Sequence, residues 1–289
     1  MTWINSALAF VLSMAIAVPA HADETVFAPK SPWNLDGTDA GCALRRTFGT
    51  DEPPLYLEMR RFAPGDGFFL IVSGKQLSTI GRNTKLKVRY GQLPGHDEPI
   101  RFSLGGTTYQ KNKAPIPTIF ASSDLRQPSP GRMGDTMTPI IEAQATNVAL
   151  EWQDKRIVMQ TGPLDKPFAV MRKCTDALLE TWGLDPEVQR TLARHVAAIN
   201  QVRWAREIQK AYPSDLAGMG QQARVNIIMM VDDKGKPTGC KVLSSYNNAR
   251  FDALACKGMM DNAEFIPALD RAGNPVASYY STAVNYSVN

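Results

Sequence analysis

The sequence predicts an α+β fold: a β-rich N-terminal domain, a helical connector, and a small C-terminal three-stranded antiparallel sheet covered by one helix. Three observations predict it. Short runs rich in β-branched and aromatic residues, separated by glycine and proline turns, fill most of residues 31–160. Apolar residues then recur at helical spacing between 168 and 202. From residue 224 onward the pattern reads strand, turn, strand, helix, strand. The 289 residues suffice for one large or two modest domains, and 44% hydrophobic with 21% charged residues is a globular composition.

At the N-terminus, residues 7–18 form an apolar run interrupted only by Ser13 and followed by Pro19 and Ala20-His21-Ala22. A short apolar segment ending in a small-x-small site is the pattern of a signal peptide. Residues 1–22 are therefore expected to be removed, with Asp23 opening the mature chain in the periplasm. The run falls short of the roughly 20 apolar residues that span a bilayer. Residues 1–6 contain no Lys or Arg, so an uncleaved anchor is the alternative, and membrane attachment is expected only in that case. The net charge of +4 arises from interspersed charges of both signs. Arg45-Arg46 and Arg60-Arg61 read as solvated faces, and no nucleic-acid partner is expected.

In the N-terminal domain, residues 23–166, strands are expected at 55–62, 68–73, 86–90 and 100–104. A hairpin is expected from 148–152 and 156–160, turning at Asp154-Lys155. Pro64-Gly65-Asp66-Gly67 is a tight-turn signal and residues 91–99 a looser loop. No helix pattern follows Asp66-Gly67, which favours a hairpin turn over a phosphate cradle. Residues 114–135, with their prolines and serines, read as an irregular loop or weak edge strand. The connector, residues 167–211, is expected to pack two helices on this domain. Phe168, Met171, Leu178 and Trp182 share a face that Gly183 ends. Asp185-Pro186 caps a second helix running to about Gln209, with Val188, Leu192, Val196, Ile199 and Val202 as its stripe. His195 would lie on the surface of that helix.

Residues 212–289 form the last unit. Val225, Ile227, Met229 and Val231 alternate with Asn226, Ile228 and Met230, as in a strand with both faces at least partly covered. A turn at 232–237 offers Gly235 for a positive φ. Cys240, Val242 and Ser244 share one face of a second strand. Asn247 or Asn248 caps a helix carrying Phe251, Leu254, Ala255, Cys256 and Met259, and a long third strand runs from 276 to 288. The four cysteines all lie beyond residue 22. An even number in an exported chain predicts two disulfides among three possible pairings. Cys42 with Cys174 and Cys240 with Cys256 keep each bridge within one packed unit. A metal site is not expected, because there is no Cys-x-x-Cys and only His96 and His195 follow residue 22.

The last unit resembles the C-terminal domain of the TonB family. The matching residues are Tyr212-Pro213, Ala217, Val225, Asp232, Gly235, Val242, Ser245 and Asp252, then Phe265-x-Pro267-Ala268 and Gly273-x-Pro275-Val276. Cys240 and Cys256 fit that layout as a bridge from the second strand to the helix. The resemblance implies that the last strand accepts a protein or extended peptide segment, such as one from an outer-membrane receptor or transporter, by β-augmentation. That edge strand would comprise Val276 and Ser278 to Tyr286. Tyr279, Ser281, Ala283 and Asn285 would lie on one face, and Ser278, Tyr280, Thr282, Val284 and Tyr286 on the other. Tyr280, Val284 and Tyr286 could equally pack under the helix. A TonB energy transducer also has an uncleaved anchor and a long proline-rich spacer. Here a cleavage site is expected, and a β-rich domain stands where the spacer would be.

No sequence-local catalytic constellation is present: no Gly-x-Ser-x-Gly, no His-Glu-x-x-His, no Walker loop and no dinucleotide fingerprint. The expectation is a non-enzymatic periplasmic protein- or peptide-binding protein without cofactor. The alternatives are a membrane-anchored energy transducer for outer-membrane transport, and an envelope hydrolase with a site in the N-terminal domain, which a pocket holding His96 beside a Ser or carboxylate would favour.

Overall fold

Period-two alternation organises the N-terminal half. The computed structural model describes residues 23–39, 41–65, 67–93, 97–107, 114–123, 125, 138–246 and 249–286. The expected signal segment, Asp66, His96, the cap at Asn247 or Asn248 and the strand end beyond Tyr286 lie outside the described residues. The N-terminal half contains β1 (Asp23–Phe27), β2 (Asn34–Thr38), β3 (Gly41–Phe48), β4 (Leu55–Arg61), β5 (Phe68–Ser73), β6 (Lys87–Tyr90), β7 (Phe102–Thr107) and β8 (Ile116–Ser123). After these come α1 (Pro139–Gln144), β9 (Val148–Trp152), β10 (Lys155–Met159) and α2 (Asp165–Thr181). One sheet has the order β2-β3-β4-β5-β8-β7 and the other β1-β10-β9-β6. Leu44, Phe48, Leu55, Leu57, Met59, Leu70, Val72 and Ile119 project from one face of the first sheet. They share a core with Val88, Tyr90, Val148 and Leu150 of the second, and with Phe168 and Met171 of α2.

Three expectations need correction here. Residues 116–123 are neither loop nor edge but an interior strand, hydrogen-bonded to β5 on one side and β7 on the other. Pro117 is tolerated near its start, where its carbonyl accepts from the Gly74 N–H at 3.0 Å. The β9–β10 turn falls on Gln153-Asp154, with Gln153 at a φ of 53°. The arginine pairs are not solvated faces. Successive side chains of a strand point to opposite sides, so each pair divides. Arg45 and Arg60 flank Glu58, which is 4% exposed, at 2.9 and 2.7 Å, and the Tyr56 hydroxyl donates to the same carboxylate at 2.5 Å. Arg46 turns inward and donates to the carbonyls of Ser31 and Thr161. Arg61, 3% exposed, lays its guanidinium 4.7 Å over the Phe168 ring. Burial pushes the Glu58 carboxyl up. The hydrogen bonds from Tyr56 and Arg60 and the charges of Arg60 and Arg45 outweigh it, holding the group below its ordinary 4.5.

The connector also departs from expectation. After α2 and Gly183, Asp185 caps a helix by accepting from the N–H groups of Glu187 and Val188, but α3 (Pro186–Arg190) stops within two turns. The chain then runs extended through β11 (Ala197–Ile199) before α4 (Gln201–Lys210). Extension wins because the backbone from 193 to 199 finds partners in residues 264–269, including β11 against β14 (Glu264–Ile266). His195 is therefore an exposed residue of an extended segment. Val202 is 66% exposed, and Trp204 and Ile208 take the buried positions of α4.

The C-terminal half continues with α5 (Ser214–Gly218), β12 (Ala223–Val231), β13 (Pro237–Tyr246) and α6 (Arg250–Asn262). After β14 come β15 (Ala268–Leu269), β16 (Pro275–Val276) and β17 (Ser278–Tyr286). The sheet order is β13-β12-β17. Val225, Ile227, Met229 and Val231 meet Phe251, Ala255 and Met259 of α6 in a second core, joined by Trp204 and Ile208. Two glycines are dictated by contact. A Cβ at Gly258 would lie 2.7 Å from Ile208 Cγ1, so this glycine lets α4 approach α6. Gly235 has a φ of +80°, and a Cβ there would fall 2.1 Å from the Phe265 carbonyl oxygen. Two disulfides form: Cys42–Cys174 pins α2 to β3, and Cys240–Cys256 pins β13 to α6.

The bridges close chain segments of 132 and 16 residues. Cys42→Ser with Cys174→Ser is therefore expected to lower unfolding stability by about 5 kcal/mol, and Cys240→Ser with Cys256→Ser by about 3 kcal/mol. Denaturant titration of the two variants checks the order. Because the folded Glu58 carboxyl is depressed, its contribution is present above about pH 4.5 and lost as pH falls through the folded value. Glu58→Gln is expected to cost about 3 kcal/mol at neutral pH, by removing the buried carboxylate that Arg45 and Arg60 share and leaving Arg45 only its pair with Asp36. It should also flatten the loss of stability in acid, which thermal unfolding at a series of acidic pH values measures.

Candidate functional site

The site is built on β17, which pairs with β12 without a shift from Ala223↔Tyr286 to Val231↔Ser278. Among the described residues no strand pairs its other side. A straight row of backbone donors and acceptors is thus left at the sheet edge. The opposite edge, β13, is less suited to a guest strand. Its register against β12 shifts at Asn226/Ile227 and again at Met230/Val231, and its disulfide ties it to α6.

The side chains of β17 sort by face. Ser278, Tyr280, Thr282, Val284 and Tyr286 lie on the α6 side. Tyr286, 1% exposed, closes an aromatic trio with Phe251 at 4.9 Å and Tyr212 at 5.7 Å, and its burial raises the phenol to about 12. Val284 belongs to the same core, and Tyr280 stacks on Phe265 at 5.0 Å. These side chains hold the module together. On the other face Ser281 and Asn285 are exposed, Ala283 is half-buried and Tyr279 leans against the N-terminal half. Val276 does not belong to the edge. The expected single strand breaks at Ala277, and Val276 pairs with Ala268 in a separate two-stranded ladder.

Residues the sequence did not single out for this role frame the entry to β17. Gln189, 6% exposed, donates from Nε2 to the Ala277 carbonyl at 2.9 Å and accepts from Ser278 Oγ at 2.6 Å. The Tyr279 hydroxyl donates to the Pro64 carbonyl at 3.2 Å, and burial pushes that phenol up to about 12. Trp182 meets Tyr279 edge-on at 6.1 Å, with Lys241 Nζ 5.7 Å from its ring. Tyr279 and Lys241 flank β12 on the face away from α6, opposite Met230 and Ile228 respectively. Trp182 thus bridges the outer face of the sheet. One aromatic pair and one cation–π contact are worth about 1 kcal/mol each. Against this, Trp182 Nε1 is buried without an acceptor among the described residues, a cost of about 1–3 kcal/mol. Trp182 read only as part of a helical stripe, and nothing in the sequence around Gln189 announces its bonds to residues 88 and 89 positions away.

Elsewhere, an open groove of about 730 Å³ runs along α4 beside Gln201, Arg203, Arg206 and Lys210, where Arg203 pairs with Glu264 and Lys210 with Glu207. A hollow of about 400 Å³ lies between Arg60, Phe68, Phe69 and Ser122. Among the described residues no group of three or more His, Cys, Asp or Glu could hold a metal ion, and no helix is long and apolar enough to cross a membrane.

No curated protein matches the chain. Residues 208–288 match the family described as Gram-negative bacterial TonB protein C-terminal. The matched span opens at Ile208, the residue seated on Gly258, and takes in the whole β13-β12-β17 sheet with α6. Residues 208–288 of this chain are therefore similar in sequence to the TonB C-terminal domain, and the match spans little more than a quarter of the chain.

Proposed function

We propose that this chain is an exported protein of the cell envelope that binds a protein or extended peptide segment along the open edge of β17, without catalysis. The observation that carries the reading is the unshifted, one-sided pairing of β17 in a domain of the TonB C-terminal type. An added strand gains main-chain hydrogen bonds from the edge, while side chains at Ser281, Ala283 and Asn285 select what lies beside them. A segment of an outer-membrane receptor or transporter is the partner this reading favours. The periplasm is the expected compartment, because an oxidising space suits the two disulfides.

Adjacent residues of an antiparallel strand point their backbone groups to opposite edges. Of Thr282→Pro and Ala283→Pro, one therefore cuts a bond to β12 and the other removes only a donor from the open edge. The latter is expected to change stability by no more than about 1 kcal/mol. It should also abolish the partner adduct formed by a photo-cross-linking side chain at Ser281 in cells. Adducts that persist in both variants would sink the edge as the contact. Intact mass of protein from the periplasmic fraction is expected to give a chain starting at Asp23 with no free thiols. A chain starting at Met1 and retained with the inner membrane would favour the anchored transducer.

A further inference from the structure

On its α6 side, β17 has a neighbour that lies mostly outside the span matched to the TonB family, which opens at Ile208. That neighbour is α4, and it is tied to β17 near both of its ends. Gln201 Nε2 donates to the Tyr280 hydroxyl at 2.6 Å, and Tyr212, just past the helix, stacks 5.7 Å from Tyr286. The helix therefore runs alongside β17 and in the same direction, from Tyr280 toward Tyr286. Its place across the sheet follows from α6. The Cys240–Cys256 bridge holds α6 to β13, and Gly258 lets Ile208 of α4 settle against α6. Two strand spacings, about 10 Å, separate β13 from β17, and packed helices lie about 8–10 Å apart. With α6 over β13 and β12, α4 thus lies above β17. A helix with its side chains is about 10–12 Å across, so the outer flank of α4 reaches over the strand position beyond the open edge.

Taken round the helix at 3.6 residues per turn, the side chains follow the order Trp204, Ile208, Gln201, Ala205, Val202. The first two face the core and α6, and Gln201 faces β17. Ala205 and Val202 come next, on the flank over the open edge. Arg203 leaves on the other flank, toward Glu264. Ala205 is exposed and Val202 is 66% exposed, whereas the other exposed residues of α4 are polar or charged. We infer that α4 is a second wall of the binding edge, on which Val202 and Ala205 select a guest strand with apolar side chains pointing toward the helix. A strand added to the edge alternates its side chains between the two sides of the sheet. One set would meet Val202 and Ala205, and the other would lie level with the exposed Ser281 and Asn285. The preferred guest is therefore an extended segment that alternates apolar with polar residues. The inference rests on the reading of β17 as the binding edge.

Two lysine-flanked synthetic peptides of equal length read the wall, one alternating Val with Thr and the other alternating Ser with Thr. The unaltered full chain is expected to bind the Val/Thr peptide about tenfold more tightly, from the apolar surface it buries against α4. In Val202→Ser, and separately in Ala205→Gln, that preference is expected to fall to about threefold or less, with binding of the Ser/Thr peptide unchanged. Both positions are exposed, so thermal unfolding should not move. Val170→Ser, at an exposed apolar position of α2, should keep the full preference. A preference kept in either α4 variant, or absent from the unaltered chain, would overturn the wall and leave the edge reading standing. Binding of neither peptide would sink the edge reading, and the wall with it.

Discussion

β12 is paired along both edges and packed under α6, and the C-terminal half follows from that position. Its two edges are taken by β13 and β17, α6 covers one face, and Trp182 bridges the other between Lys241 and Tyr279. The outer face is covered at its middle, where Ile228 is as buried as Ile227 and Met229, and opens toward Arg224 at one end. With both edges of β12 used, the unpaired edges of the sheet fall to β13 and β17. β13 is bulged and stapled, so β17 alone keeps a straight ladder with an open side. The binding edge is thus a consequence of how one central strand is satisfied.

The N-terminal half solves a different problem, that of putting charge inside a sandwich. The arginine pairs of β3 and β4 divide between the two faces of the sheet. Arg45 and Arg60 surround the buried Glu58, while Arg46 and Arg61 line the core side, bonded to carbonyls or stacked on Phe168. Each buried charge is met by an opposite charge, a carbonyl or a ring face, without which its desolvation would be prohibitive. The bridge from Cys42 to Cys174 then fixes α2 over the end of this sheet. That position brings Trp182, the residue after α2, against the C-terminal sheet.

The connector marks where local pattern misleads. Val188, Leu192, Val196, Ile199 and Val202 recur at helical spacing, yet the chain is extended from 193 to 199 and Val202 faces solvent. Over so short a stretch, Val196 and Ala198 satisfy a period of two as well as the longer set satisfies a helix. The tie is broken by backbone partners at 264–269, which lie too far along the chain for any local window to see. Residues 116–123 depart from their local pattern for a related reason. Prolines argue against an interior strand, but Pro117 needs only its carbonyl there.

Sequence alone determined the strands β4, β5, β6, β9, β10, β12 and β13, the helix ended by Gly183, the positive φ of Gly235 and the TonB-like pattern of the last unit. Each depends on side-chain period, backbone permissiveness or spacing, which are local properties. Only the tertiary structure decided that Val276 leaves the edge, that Tyr280, Val284 and Tyr286 pack inward, and that Gln189 and Trp182 meet residues 277–279 at the start of β17. Those outcomes depend on which distant backbone groups and faces meet. A glutamine 88 residues from the carbonyl it bonds carries no mark of that partner in its own neighbourhood.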